Sequence, residues 1–322
     1  MASTPDIQAG SASQCAGTVL MVRPHAFGFN AETAATNTFQ HATAGAPSAD
    51  AEAARREFEQ LARALAGEGV EVCIAEDSAT PPKPDAVFPN NWVTFHADGT
   101  LVVYPLAHAS RRPERRQEVI DLAIQRSGFT VRHFLDLSWY EGQGRFLEGT
   151  GSLVLDHVQR VAYACLSART DAELVREWSR ELKYEPVIFT ATNRAGAALY
   201  HTNVCLWIGS RVAVVGAQAI APADRERVLA SLRASGREVI SVGHAEIEQF
   251  AGNMLELSTW DEALGDSSVL VMSESARRGL APETFSRISG ATDTVLAVPV
   301  PTIERLGGGS VRCMLAEVFT GP

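Results

Sequence analysis

No stretch of this 322-residue chain approaches the ~18 consecutive apolar residues that a bilayer-spanning helix requires, so no membrane partner is expected. Basic residues are few: 28 Lys and Arg stand against 38 Asp and Glu, giving a formal net charge of −10. That balance argues against a nucleic-acid partner, which needs a basic footprint. Cysteines number five (Cys15, Cys73, Cys165, Cys205, Cys313), an odd and scattered set without Cys-x-x-Cys spacing. They read as reduced thiols of a cytoplasmic protein, not as a disulfide frame or a zinc site. The opening residues lack a basic stretch followed by an apolar one, so no signal peptide is expected. Also missing are a P-loop, a Gly-x-Ser-x-Gly elbow and ligand-spaced His and Cys; neither metal nor cofactor is implied.

What is present is a chain 46% hydrophobic and 20% charged, enough apolar residue for a sizeable core. Residues 1–17 have no apolar period and read as a flexible N-terminal arm, leaving 18–322 as one domain with no linker inside it. TVLMV from Thr18 predicts a buried strand, then a long loop carrying Asn30, and a helix and strand follow in AEAARREFEQLARALAGEGVEVCIAE. A hairpin–helix–strand pattern then recurs, with hairpins in VTFHADGTLVVYP, SLVLDHVQRVAYACL, NVCLWIGSRVAVVGAQ and NMLELST…SVLVMSE. Counting the opening unit, this makes five approximate β–β–α–β repeats, too irregular for a solenoid. An α/β fold with five units around one axis would bring Asn91, Glu148, His201, Asn253 and Cys313 to a common mouth. A doubly wound sheet is the competing layout, and the frequent hairpins weigh against it, as does the lack of an early Gly-x-Gly-x-x-Gly turn.

Taken singly, the polar residues at those points have ordinary readings. Cys313, after a glycine run in LGGGSVRCMLAE, is either a small buried hydrophobe or a nucleophile that a ligand can approach closely. His201 is a structural histidine or a general acid/base. Glu148 is a loop carboxylate or an orienting anion, and Asn90 and Asn91 cap a turn or bind. Their coincidence at matching points of successive repeats favours the chemical reading.

FPNNW, FLEGTGSLVLD, YHTNV, FAGNM and GGGSVRCMLAE, in this order, resemble the pentein superfamily of guanidino-modifying enzymes. Within it they look like the amidinotransferase-related citrulline-utilisation hydrolases (CtlX type), along nearly the whole chain. The resemblance implies a five-bladed α/β propeller of ββαβ repeats with the active site on its axis. It implies Cys313 as nucleophile, His201 as proton shuttle and Glu148 as the orienting carboxylate.

Arginine deiminases of that superfamily carry aspartates where this chain has Asn91 and Asn203. A guanidinium stays protonated at any working pH, and two amides cannot neutralise it. A neutral ureido group needs donors as well as acceptors, which Asn supplies. Citrulline is therefore the expected substrate, hydrolysed through a covalent Cys313 intermediate to ornithine, CO2 and ammonia, with no cofactor. Arg23, Arg145 and Arg312 are candidates for the substrate carboxylate, Arg145 being retained with Asn91, Asn203 and Asn30 as the binding set. Arginine dihydrolase or deiminase, amidinotransferase and a non-catalytic pentein binding factor remain alternatives. The expected partner is a small amino-acid substrate, and a homo-oligomer is left open.

Overall fold

The computed structural model describes residues 13–42, 46–261 and 265–320. Among these described residues there are fifteen strands: β1 (Thr18–Arg23), β2 (Glu71–Glu76), β3 (Val93–Phe95), β4 (Thr100–Val103) and β5 (His133–Asp136), then β6 (Leu153–Asp156), β7 (Val161–Cys165), β8 (Glu185–Phe189), β9 (Leu206–Ile208) and β10 (Val212–Val215), then β11 (Glu238–Ser241), β12 (Leu255–Asp261), β13 (Gly265–Ser273), β14 (Thr294–Val298) and β15 (Ala316–Val318). Crossovers between parallel strands carry helices α1 (Pro47–Gly67), α2 (Gln117–Ser127), α3 (Ala172–Leu182), α4 (Pro222–Ala234) and α5 (Pro282–Ser289). A sixth, α6 (Pro301–Gly307), precedes β15.

The hydrogen bonding repeats one arrangement. In β3-β4-β5, β6-β7-β8, β9-β10-β11 and β12-β13-β14 the middle strand pairs antiparallel with the first and parallel with the third. The fifth such set joins the two chain ends: β1 pairs parallel with β2 and antiparallel with β15, Leu20 facing Ala316. The ladders do not divide into the five blades that the resemblance implies. A single parallel pair, Val318 opposite Phe95, fuses two sets into one six-stranded sheet, β2-β1-β15-β3-β4-β5, beside three three-stranded sheets.

Each crossover helix covers its own sheet for sequence reasons. In α3, Asp171 caps the start by accepting the Leu174 N–H at 2.8 Å. Leu174, Val175, Trp178 and Leu182 then fall on one buried face, and the helix stops at Lys183 in the left-handed region (φ 58°). Trp178 is fully buried and donates its indole N–H to Tyr104 at 2.9 Å, so truncating it to Ala would cost about 3–5 kcal/mol.

Residues 1–12 of the expected arm lie outside the described residues. Residues 13–17 are not loose. Gln14 donates to the carbonyls of Leu155 (3.0 Å) and Ile208 (3.3 Å), Cys15 and Ala16 are buried, and the Ala16 carbonyl accepts from Ser258 N–H. Backbone groups left free by the short strands β6 and β9 find their partner in this one glutamine, which apolar periodicity does not reveal.

Candidate active site

The turns that lead into the inner strand of each set carry the polar residues. Asn91 closes the 3₁₀ turn Pro89–Asn91 before β3, and Glu148 stands at the residue just before the helical turn Gly149–Ser152 that leads into β6. His201 immediately precedes the 3₁₀ turn Thr202–Val204 before β9, Asn253 precedes β12, and Cys313 lies in Val311–Met314 before β15. All five are buried. Asn91, His201 and Cys313 line one cavity together with Thr33, Asn37, Asp85, Arg111, Arg169 and Tyr200.

Glu148 is the electrostatic hub. Its Oε2 lies 2.8 Å from His201 Nε2, 3.5 Å from Arg169 Nη1 and 3.6 Å from Arg111 Nη1, while Oε1 accepts the Ala107 N–H at 3.0 Å. Burial pushes this carboxyl up, but Arg169, His201 and Arg111 together outweigh burial and hold it well below the usual range. Burial takes the His201 imidazole the other way, down to about 4 despite Glu148, so the ring is neutral at neutral pH and can accept a proton.

Arg111 sits among three carboxylates. It grips Glu114 through Nε (2.9 Å) and Nη2 (2.8 Å), approaches Asp85 at 3.9 Å, and turns Nη1 to Asn91 Oδ1 at 2.7 Å. Burial raises Glu114 to about 7 against the pull of Arg111. Asn91 passes the chain on, donating to Asn90 Oδ1 at 2.9 Å. At the sulfur end, Cys313 Sγ is 3.2 Å from Asn253 Nδ2 and 3.6 Å from Asn203 Nδ2.

Gly151 makes the crowding possible. A Cβ there would stand 2.6 Å from both Cε1 and Nδ1 of His201 and 2.7 Å from Asn91 Nδ2.

Of the residues named from sequence, Cys313, His201, Glu148, Asn91 and Asn203 are brought together. Asn30 is buried one step back: it caps the helical turn Ala31–Ala34 and donates to Asp85 Oδ2 at 2.7 Å. Arg145 does not reach the cavity. It pairs with Asp171 at 3.0 Å, partly exposed, over the ring of Tyr140. Arg23 is held by Glu59 and Glu76, and Arg312 by Glu317 at 2.7 Å, so neither is aimed at Cys313's cavity. The cations that line the cavity are Arg111 and Arg169. Sequence reasoning missed both, along with Asp85 and Asn253's contact with the sulfur. The one available signal for Arg111 was the Arg-x-x-Glu spacing to Glu114 in SRRPE.

Among the described residues no three His, Cys, Asp or Glu side chains gather as a metal site, and no helix is long and apolar enough to cross a membrane.

This mixed α/β fold, with Cys313 and His201 on one cavity and Glu148 bonded to His201, is that of the pentein superfamily of guanidino-modifying hydrolases, which act on non-peptide C–N bonds. The family model described as "N,N dimethylarginine dimethylhydrolase, eukaryotic" matches residues 23–320, and the chain belongs to that family. No curated protein matches the chain significantly. Among solved structures, the N-terminal domain of the cyanobacterial arginine dihydrolase ArgZ, a cysteine-to-serine variant bound to substrate, superposes with TM-score 0.71 at 16% identity, covering 95% of this chain and 98% of that domain. Against the full-length arginine dihydrolase the match spans 41% of its length. The dimethylarginine dimethylhydrolase of Pseudomonas aeruginosa, a cysteine-to-serine variant with citrulline bound, gives TM-score 0.65 at 15% identity, covering 94% and 99%. At such identities these structures speak for the fold alone.

Proposed function

We propose that this chain hydrolyses the ureido group of citrulline through a covalent Cys313 intermediate, releasing ammonia, CO2 and ornithine. The observation that carries the reading is the charge around the sulfur. The side chains that touch Sγ are the amides of Asn203 and Asn253, and the nearby Glu148 carboxylate is already engaged by Arg111, Arg169 and His201. Among the described residues no carboxylate bonds the sulfur, so a guanidinium carbon brought to it would lack a contacting counter-charge at a desolvation cost of several kcal/mol, whereas a neutral urea needs none.

In this reading Cys313 and His201 act as a pair. The sulfur attacks the ureido carbon while His201 holds the thiol proton, then delivers it to the departing amine, which leaves as ammonia. Amide and guanidinium donors stabilise the oxygen as negative charge builds on it. Water, deprotonated by the same imidazole, hydrolyses the S–carbamoyl bond. The freed carbamate loses CO2, so citrulline plus water gives ornithine, CO2 and ammonia. Asp85 takes the α-ammonium, and Arg111 and Arg169 take the α-carboxylate, because these are the charges that line the cavity. That cavity holds only about 10 Å³, roughly one water, so the covering segment with Thr33 and Asn37 must move for substrate to enter. The three-stranded sets stand in this reading as blades about a pseudo-fivefold axis, one catalytic domain over 18–322.

A guanidino substrate is the second reading, favoured by the family match. Incubation with citrulline, arginine, agmatine and dimethylarginine, with ammonia and amine products quantified, separates the two. Ornithine and ammonia from citrulline, abolished by Cys313→Ala and lowered in kcat by about 10²-fold in His201→Ala, is the expected result. Turnover of arginine or dimethylarginine with citrulline inert overturns it.

A further inference from the structure

We infer that Asn253 is a catalytic residue, whose amide N–H donates to the Cys313 sulfur and stabilises the negative charge that develops there as attack begins. The inference rests on the reading of Cys313 as nucleophile and adds the group that activates it.

The direction of the Asn253 amide is fixed by its other partners. Oδ1 accepts the backbone N–H of Arg312 at 3.1 Å, and Nδ2 donates to the carbonyl of Asn203 at 3.1 Å. Flipping the amide would set a carbonyl oxygen against a carbonyl and an NH2 against an N–H. Nδ2 is therefore the atom facing Sγ, at 3.2 Å, and its second hydrogen is free for the sulfur. The residue is fully buried, so no water competes for that hydrogen.

The backbone is built to deliver it. Phe250 adopts the left-handed region (φ 64°), and its carbonyl accepts the Asn253 N–H at 2.8 Å in a tight turn. Gly252 then lies flat against the strand-entry turn of the neighbouring set. A Cβ there would stand 2.3 Å from the Val204 carbonyl oxygen. This contact sets Asn253 beside both Asn203 and the Val311–Met314 turn that carries Cys313.

The chemistry explains the need. A neutral ureido substrate brings no positive charge with which to stabilise a thiolate, and His201 is already bonded through Nε2 to Glu148. A hydrogen bond to an anionic acceptor is stronger than one to a neutral thiol, so the amide favours transfer of the thiol proton to the neutral His201 imidazole as attack begins. The same donor serves again when the S–carbamoyl adduct collapses and the sulfur leaves with its electron pair.

The test is the rate of Cys313 alkylation by iodoacetamide in the full chain without substrate, read by mass spectrometry, with Cys313→Ser as blank. Asn253→Ala and Asn253→Asp are both made. The aspartate keeps the acceptor for Arg312 N–H and loses the donor, and circular-dichroism melts check that each folds. Alkylation is expected to slow by about ten- to hundredfold in the folded variants, the loss of a charge-assisted hydrogen bond, with a parallel fall in kcat/KM. Wild-type alkylation rates in either folded variant overturn the inference, even if turnover is lost. Full turnover by enzyme alkylated at Cys313 overturns the nucleophile reading itself, and the inference with it.

Discussion

Arg111 donates an Nη1–H to Asn91 Oδ1 at 2.7 Å, which places a buried cation directly behind one of the two asparagines that distinguish this site. Among the described residues Asn203 has no such cation bonded to it: its side-chain hydrogen bonds are with the Cys313 sulfur. The two amides are thus not equivalent in charge terms. An aspartate at 91 would be neutralised by Arg111, whereas one at 203 would stand beside the reacting centre.

Asn203→Asp is therefore expected to move the arginine-to-citrulline ratio of kcat/KM towards arginine by about tenfold or more, since each ~1.4 kcal/mol is a decade. Asn91→Asp should move it by less than about threefold, because the added anion forms an ion pair instead of a substrate site. Steady-state kinetics on both substrates check this, and equal shifts from the two variants would refute the asymmetry.

The arginines separate in the same way. Arg169 donates to the Thr33 carbonyl at 2.9 Å and to Thr36 at 3.0 Å, stacks over Tyr200 and faces Glu148, all at the cavity wall. Arg169→Gln should raise KM at least about tenfold, as loss of a charge-assisted bond to the substrate carboxylate would. Arg145→Gln breaks a partly exposed pair with Asp171, of the kind that contributes about 0–1 kcal/mol, and KM should stay within about twofold.

The contrast between Arg145 and Arg169 marks how far the sequence could be read. Hairpins such as Val93–Val103 were legible because Asp98-Gly99 forces the turn and alternation marks the strands; Gly99 takes φ 82°. The turns entering β6, β9 and β15 were legible because Glu148, His201 and Cys313 sit in glycine-rich or distinctive motifs. Arg111 and Arg169 were not, since each lies in a polar loop where one arginine looks like the next. Burial by another loop, Thr33 and Thr36 in the case of Arg169, is a property of the packed chain. The fusion of two sets through Val318 and Phe95 was hidden for a similar reason, as it joins segments with no shared pattern.

Acid stability follows from buried imidazoles. Burial lowers His96 and His201 to about 4 and pushes His157 well down, against an ordinary 6.5. The unfolded chain thus takes up protons first. Stability is fully present above about pH 6.5 and falls as pH drops towards 4, by about 2 kcal/mol for each of His96 and His201 at pH 5. Glu114 has the opposite sign. Its folded value near 7 exceeds the unfolded one, so protonating it between pH 7 and about 4.5 favours the folded state, and raised Glu57 and Glu317 act likewise. Thermal melts should show Tm falling between about pH 7 and pH 5, and falling more steeply in Glu114→Gln, which removes one compensating proton. A flat profile in both proteins would contradict the neutral burial of these histidines.

The last expectation concerns a residue with no chemistry of its own. The hydrogens of Gly151 face His201 and Asn91, and a methyl there would lie 2.6 Å from the imidazole and 2.7 Å from the amide nitrogen. Neither neighbour can yield cheaply. His201 is tied to Glu148 at 2.8 Å, and Asn91 is held between Arg111 at 2.7 Å and Asn90 at 2.9 Å. Gly151→Ala should therefore displace the proton shuttle and lower kcat by about 10²-fold or more, the worth of a positioned acid–base group, while the sheets and crossover helices keep their packing. Gly142→Ala, on an exposed turn where an added Cβ meets nothing within 4 Å, is the control and should be silent. Far-ultraviolet circular dichroism and kcat measured on the same preparations decide the matter. A Gly151→Ala enzyme with native spectrum and native kcat would mean that His201 can shift without loss, and its part in proton transfer would have to be given up.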